Sequence, residues 1–358
     1  MATDPVHICG AGPAGLTAAI TLAKAGRKVI VHELRKHVGA RFHDDLQGLE
    51  NWTREGDVLE ELMDLGIETN FSAVPFREVV AFDPEGREYC FHSEQPMAYI
   101  LRRGPAEGTL DHGLQQQALS AGVEIRFKDA CREFTENGIV AQGPHHADAI
   151  GVGYLFATDS ADGAYVALAD RLAPKGYAYL LIQGGRGTLI SWMYADFHQH
   201  REYLERSVDF FRANVGVELR DPQPTGGAAN FQLVRSACCG NLLYPGEAAG
   251  FQDALWGFGM RFAILSGHLA GRALLADDPA LYDRLWRDRL LGLLRASAVN
   301  RFFYRRLGDR GYSALLRRID RYLEKRTDGR RWLHKYTAPR AWMTLCAPFL
   351  RGVPVRRH

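Results

Sequence analysis

Hydrophobic positions along the first sixty residues switch period twice. A short apolar run at Val6–Cys9 predicts a buried strand, and the Ala/Leu-rich stretch Leu16–Ala25 predicts a helix that Gly26 ends. A second run at Lys28–His32 predicts another buried strand, with Glu33 at its end. The following "RKHVGARFHDDLQGLENW" has no regular period and reads as a polar loop. Arg54–Leu65 returns to helical spacing, with Val58, Leu59, Leu62 and Leu65 on one face. Two strands, Glu78–Phe82 and Arg87–His92, flank the turn "DPEG" and read as a hairpin. Ala98–Arg103 then predicts a strand, Leu110–Ala121 a helix, and "GVEIRF" a strand that extends the parallel sheet.

Further on, 131–142 and 149–157 carry β patterning, and 176–195 reads as a hairpin around Gly184–Gly187. An amphipathic helix is expected over 198–214, a strand crossing back over Phe231–Arg235, and a last strand over Leu242–Tyr244. Gly257 and Gly259 open a long apolar helix, "MRFAILSGHLAGRALL", and several short Arg-rich helices follow over 279–350. Strands returning in hairpins after a βαβ start imply a mixed α/β (α+β) chain. Its expected parts are a Rossmann-like nucleotide domain (1–75, 98–165 and 230–276), an inserted antiparallel sheet (76–97 and 166–229) and a helical C-terminal region (277–358).

Composition narrows the class. The 358 residues are 46% hydrophobic and 24% charged, as in soluble globular proteins, and no run of apolar residues is long enough to span a bilayer. "MATDPVHICG" lacks the basic and apolar regions of a secretory signal, so a cytoplasmic location is expected. Six scattered cysteines without a CxxC read as free thiols, and the histidines show no metal-binding spacing. The net charge of +2 hides an asymmetry: residues 272–358 hold 21 of the 44 Lys and Arg but 8 of the 42 Asp and Glu, about +13. The basic amphipathic helices suit an anionic membrane surface, or a cap packed on the acidic remainder; no nucleic-acid recognition motif accompanies the charge.

The strongest chemical signal is Gly10, Gly12 and Gly15, a GxGxxG run placed between the first strand and the first helix. Gly10 permits the tight turn, Gly12 lets a pyrophosphate approach the backbone, and Gly15 lets helix and strand pack closely. Pro13 and Ala14 lie at the helix N-terminus, whose free N–H groups favour phosphate. Glu33, followed by Leu34, stands where an acid can accept hydrogen bonds from both ribose hydroxyls. Its charge disfavours a 2′-phosphate, so NADP is not expected there. These parts together predict a dinucleotide site.

The segments "VHICGAGPAGLTAAI", "LRRGPAEGTLDHGLQQQALSAGVEI" and "YPGEAAGFQDALWGFGMRFAILSGHLAGRAL" occur in an order that resembles the FAD-dependent fold shared by aromatic hydroxylases, flavin halogenases and geranylgeranyl reductases. The third segment is most similar to the geranylgeranyl reductase branch. This resemblance, over roughly residues 5–276, implies FAD as cofactor, with Arg102 or Arg103 near its adenosine or pyrophosphate and Arg41 as a further phosphate candidate. It also implies that Gly246 and Glu247 approach the ribityl and pyrophosphate region. Ala248 and its small neighbours Ala249 and Gly250 would let the backbone come close. Gly257, Phe258 and Gly259 would sit at the isoalloxazine. The chain departs from the family at Tyr165, Ala254 and Trp256.

Tyr177, Tyr179, Trp192, Trp256 and Phe258 are candidates for the wall of an apolar substrate cavity, and His43 and Tyr179 for a proton donor. No second GxGxxG follows a strand, so electrons would come from NAD(P)H visiting the flavin or from a reduced partner protein. By the resemblance, hydride from the reduced flavin N5 would reduce a C=C bond of an apolar, isoprenoid-like substrate. Two alternatives stay open: hydroxylation or halogenation of an aromatic or polyketide-like compound, and a flavin-binding module that docks a membrane or partner.

Overall fold

In the computed structural model, residues 4–131, 137–324 and 328–346 are described. The chain opens with β1 (Val6–Cys9), α1 (Pro13–Lys24) and β2 (Val29–Glu33), then β3 (Asp45–Glu50) and α2 (Val58–Asp64). Next come β4 (Ala73–Phe76), β5 (Glu78–Phe82), β6 (Glu88–His92), β7 (Ala98–Arg103), α3 (Leu110–Ser120), β8 (Glu124–Phe127) and β9 (Gly138–Val140). Strands β10 (Ala149–Ala157), β11 (Gly163–Ala167), β12 (Tyr177–Gln183) and β13 (Arg186–Met193) lead into α4 (His200–Val215) and β14 (Arg220–Ala229). The chain ends through β15 (Cys238–Cys239), β16 (Leu242–Leu243), α5 (Met260–Leu275), α6 (Pro279–Trp286), α7 (Gly292–Tyr304), α8 (Gly308–Leu323), α9 (Gly329–Thr337) and α10 (Ala341–Cys346).

Among the described residues, three sheets form. The nucleotide-type sheet has the order β15-β16-β9-β1-β2-β8 and is parallel from β16 to β8. Helices α1 and α5 pack together over it, and the largest apolar core gathers there, from Ile8 and Val31 through Leu16 and Ile20 to Phe262 and Leu265. A seven-stranded sheet, β14-β10-β13-β12-β11-β5-β6, forms the second layer, and β3-β7-β4 bridges the two. Side-chain caps set several helix starts: Asp57 accepts from Leu59 N, and Thr109 accepts from His112 N. Asp57 thereby starts α2 at Val58, four residues after the expected Arg54.

Three expectations are corrected. The polar stretch after β2 contains β3, whose ladder with β7 runs from Asp45↔Arg103 to Glu50↔Ala98. Its polar composition hid it, because one sheet edge faces a cavity rather than an apolar core. Phe231–Arg235 is not a strand; the crossing strand is β14, earlier in the chain, paired to β10. Its Pro222 and Pro224 argue against a central strand but are tolerated on an edge, and β14 is the edge of its sheet. Strands β10 and β11, expected within the 98–165 part of the nucleotide domain, pair in the seven-stranded sheet instead.

Of the two placements expected for the C-terminal helices, α8 takes the packed one. Tyr304, Tyr312, Leu316, Ile319 and Leu323 form one buried cluster with Ala81, Tyr89, Leu168 and Leu255, so the apolar face of α8 is spent on the inserted sheet. Residues 347–358, the end of the expected helical C-terminal region, lie outside the described residues.

Candidate active site

One cavity of about 1010 Å³ runs between the two layers, beyond the roughly 300–1,000 Å³ common for small-molecule sites. Its polar end is built by the first βαβ unit. A Cβ on Gly10, which has φ +100°, would lie 2.5 Å from Ala141 O, and one on Gly15 would lie 2.0 Å from Gly10 O. Both glycines are therefore demanded by packing. Gly12 is different: a Cβ there meets nothing within 4 Å, and the residue faces the cavity at the N-terminus of α1. Among the described residues a side chain at Gly12 would meet no protein atom, so what it would exclude is an occupant of the cavity. Pro13 and Ala14 line the same wall.

Glu33 is held in place by its own neighbourhood. Its two carboxylate oxygens accept from Ala11 N and Arg35 N, each at 2.8 Å. Each oxygen keeps a further lone pair for a hydroxyl donor, and both Glu33 and the exposed Leu34 line the cavity. This arrangement fits a ribose: a fixed acid one strand-end away from an open glycine cradle. Beside it, His32 Nδ1 pairs with Asp129 Oδ2 at 2.8 Å, and His32 Nε2 meets His7 Nδ1 at 2.8 Å.

The arginine candidates separate. Arg103 is buried, clamped on Asp111 through Nε (2.8 Å) and Nη2 (2.9 Å), donates to Gln47 Oε1, and sits over the Phe42 ring while lining the cavity. Arg102 does not reach the cavity; it turns away to Asp44 at 3.2 Å and to Glu107 O at 2.8 Å. The alternation of side chains along β7 puts the two on opposite faces, which a dipeptide "RR" cannot reveal. Arg41 lies at the mouth, half exposed, with Nη2 at 3.5 Å from Glu247 Oε2. Burial pushes the Glu247 carboxyl up, and the Arg41 and Arg103 guanidinium groups pull against it. Two residues 206 positions apart thus close one polar rim.

Within the small-residue run, only Glu247 faces the cavity. Gly246, at φ +63°, packs on Ala14 and Ala263 and donates its N–H to Ser266 Oγ at 2.8 Å. Ala248 and Ala249 lie in a single 3-10 turn, and Gly250 closes it at φ +72°, where a Cβ would lie 2.5 Å from Gln232 N. None of these four lines the cavity, whereas Pro245 and Glu247, on either side of Gly246, do; the small residues serve packing and the turn that brings Glu247 to the wall.

The middle of the cavity is the loop 251–259. Asp253, fully buried, accepts from Trp256 N at 2.7 Å and from Leu255 N at 3.4 Å, while its own N–H donates to Phe258 O. Gln252 Nε2 closes the ring on Gly257 O at 2.6 Å. Burial drives the Asp253 carboxyl up to about 6, against these backbone donors and Arg301. The loop presents Gly257, Phe258 and Gly259 to the cavity, with Gly259 as N-cap of α5. Phe258 stands edge-on to Trp52 (4.9 Å) and against Gly48, where a Cβ would lie 2.9 Å from its ring. Trp52 and Gly48 were missed from sequence because their segment had no period; an aromatic next to a small residue in a loop carries no pattern.

Beyond this loop the cavity becomes apolar. Tyr177, Tyr179, Trp192, Trp256 and Phe258 all line it. Tyr177 OH donates to Trp256 O, which fixes both rings. Tyr179 is raised above the ordinary phenol range, first by burial and then by the Asp45 charge, so its hydroxyl keeps its proton. His43 does not share this position: it is exposed and outside the cavity, its N–H held by Asp45 Oδ1 at 2.6 Å. The far wall is supplied by the C-terminal helices, through Leu315, Ile319, Leu323, Trp332 and Tyr336, opposite Val79 and Phe91. Helix α9 is fastened there by Arg330, which donates to the carbonyls of Arg54, Glu55 and Gly56 at 3.2, 2.8 and 2.6 Å and to Asn51 O. His334 Nδ1 meets Trp52 O at 2.7 Å.

An open glycine at a helix N-terminus, a fixed acid at a strand end and an apolar arm thus share one cavity between a nucleotide-type sheet and an inserted sheet. A profile for NAD(P)-binding Rossmann-like domains matches residues 8–66. The chain is 25% identical over 377 aligned positions to a digeranylgeranylglycerophospholipid reductase of Haloferax volcanii, covering 89% of this chain and 88% of that protein. Its fold is similar to a geranylgeranyl bacteriochlorophyll reductase-like protein of Thermoplasma acidophilum, with a TM-score of 0.73, 19% identity, and coverage of 96% and 95%. It is also similar, at a TM-score of 0.63 and 15% identity, to a p-nitrophenol 4-monooxygenase of Pseudomonas putida, covering 94% and 99%. The resemblance to geranylgeranyl reductases drawn from the sequence motifs is borne out by these relatives. So is the mixed α/β class with a Rossmann-like domain, an added sheet and a helical C-terminal region.

Proposed function

We propose that this chain is an FAD-dependent reductase of C=C bonds in a long apolar, isoprenoid-type substrate. The observation that carries the reading is the continuity of the cavity, from an open glycine cradle at Gly12 to an aliphatic and aromatic arm ending at Ile319 and Trp332. The relatives named for the reduction of geranylgeranyl lipids support it. The residues present fit FAD: Gly12 and the α1 N-terminus would receive the pyrophosphate, Glu33 the adenosine ribose, and Gly257–Gly259 with the α5 N-terminus the ring system. FAD, once reduced, supplies the hydride for such a reduction.

The chain's own contributions are position, dryness and a proton. Trp52 and Phe258 pack edge-on in the cavity wall, and the aromatic arm orients an extended chain and excludes water. We assign the proton for the second carbon of the double bond to Tyr179, on the ground that it lines the cavity and carries a protonated hydroxyl. Electrons would come from NAD(P)H or a reduced partner protein.

The test is anaerobic. Photoreduced protein is mixed with a geranylgeranyl lipid, and the oxidised-flavin absorbance is followed. The reading expects that absorbance to return without oxygen, with product heavier by two hydrogens per double bond. Reoxidation only by oxygen, with a hydroxylated product, would assign the monooxygenase chemistry instead, and flavin that no donor reduces would make the chain a binding module.

A further inference from the structure

The C-terminal helices have two faces, and the cavity uses one of them. Tyr312, Leu316, Ile319 and Leu323 turn inward, yet α7, α10 and the turn after α7 leave three large apolar side chains outside: Phe303 (51% exposed), Leu307 (38%) and Trp342 (43%). Among the described residues, the remaining large exposed apolar side chains, Leu34, Met63, Leu119 and Leu275, are scattered over other elements. Phe303 and Trp342 touch, with ring centroids 6.4 Å apart, although they are 39 positions apart in sequence. This makes a contiguous patch rather than single exposed residues, and a patch calls for a partner.

The charge around it has one sign. From Phe302 to Arg318 the chain carries five arginines and one acid. That acid, Asp309, is turned into the protein, where its Oδ1 accepts from Asp170 N at 2.9 Å. Arg306 and Arg310 are exposed, as is Arg340 beside Trp342. Among the described residues, none of these three has a carboxylate within ion-pair distance; Arg306 and Arg340 donate to the carbonyls of Phe302 and Lys335. Arg306 also stacks on Phe302 at 3.5 Å, which stiffens the rim of the patch.

We infer that Phe303, Leu307 and Trp342, ringed by Arg306, Arg310 and Arg340, form a docking face for an anionic lipid surface. Aromatic and aliphatic anchors enter the headgroup boundary, and the arginines pair with lipid phosphates around them. A protein partner could cover aromatic and Arg side chains as well, so what favours a lipid surface is the nearness of this face to the apolar arm of the cavity. The face lies one helix from the substrate arm: Asn300 of α7 donates to Tyr336 O at 3.0 Å, and Tyr336 lines the cavity. Docking would bring the apolar end of the cavity to the bilayer, so that a long chain need not cross water.

The experiment is vesicle flotation of the full-length protein, scored by protein mass. Wild type should float with vesicles of phosphatidylglycerol and phosphatidylcholine at low salt, and at least tenfold less with phosphatidylcholine alone. Both the double variant Arg306→Glu/Arg310→Glu and the triple variant Phe303→Ser/Leu307→Ser/Trp342→Ser should lose binding at least tenfold. Circular dichroism of each variant should match wild type, since all five positions are exposed. Wild type that ignores anionic vesicles overturns the inference, and so does binding unchanged in either folded variant. Capture by an acidic protein without vesicle binding would assign the face to a protein partner and overturn it as well. Flotation does not depend on flavin, so a colourless protein would refute the proposed reaction while leaving this result readable.

Discussion

Replacing Gly12 with alanine separates the fold from the cofactor site. Gly12 has φ −82° and ψ 179°, which alanine adopts freely, and an added Cβ meets no atom within 4 Å. Alanine gains roughly 0.4–1 kcal/mol by restricting the unfolded chain and loses a similar amount as an N-cap residue, so stability should change by less than about 1 kcal/mol. The methyl group stands where a pyrophosphate must approach the backbone. A lost or lengthened charge-assisted hydrogen bond costs roughly 1.5–3 kcal/mol, or about a tenfold to hundredfold weaker affinity. Gly15→Ala is the control: its Cβ would lie 2.0 Å from Gly10 O, so that variant should fail to fold rather than fail to bind. The assay pairs a thermal melt of apoprotein with titration of FAD by flavin fluorescence. Gly12→Ala with unchanged melting and weakened FAD binding supports the site. Gly12→Ala that binds FAD as wild type does would refute the placement of the pyrophosphate.

Other consequences follow from particular side chains. Glu50 is fully buried and pushed up to about 7 by desolvation, with Arg261 pulling against it. Its folded value exceeds its unfolded one, so the native state holds the proton between about pH 4.5 and 7 and stability falls as pH rises through that window, by up to about 3 kcal/mol. Glu50→Gln should therefore flatten the dependence of melting temperature on pH, raising it more at pH 8 than at pH 5. Tyr179→Phe removes the hydroxyl proposed as the proton donor; turnover should fall roughly 10²–10⁴-fold with flavin binding unchanged, and a solvent-isotope effect should report the altered proton step. His334→Ala removes one hydrogen bond to Trp52 O, about 1 kcal/mol, and should raise KM for a long-chain substrate more than it lowers kcat.

Much of the nucleotide end was legible in the sequence because each part there obeys a local rule. A glycine at a positive-φ turn, a helix N-terminus and an acid at a strand end are all specified within about thirty residues of chain. The far wall was not legible, because it is made by elements that meet only through the fold. Arg41 meets Glu247, and Arg330 meets the carbonyls of 51–56, and neither pair leaves a periodic trace. The Arg102–Arg103 pair shows the same limit at short range: both residues looked alike until pairing with β3 decided which one faced the cavity. In the run Gly246–Gly250 the small residues were read as close approach to FAD; the contacts that the fold itself makes there, Gly246 to Ala14 and Ala263 and Gly250 to Gln232, left no trace in the sequence. Strand β14 escaped because its prolines are permitted only by its edge position, a property of the assembled sheet.

The most direct test of the account is the identity of what the purified protein carries. Release the bound small molecules by heat, and read their mass and absorbance. A single cavity that joins the Gly12 cradle to the apolar arm predicts FAD at one molecule per chain, and an isoprenoid-type lipid lost when the arm is filled by Ile319→Trp. A colourless protein that cannot be loaded with FAD, or one that carries a nicotinamide dinucleotide in its place, would contradict it.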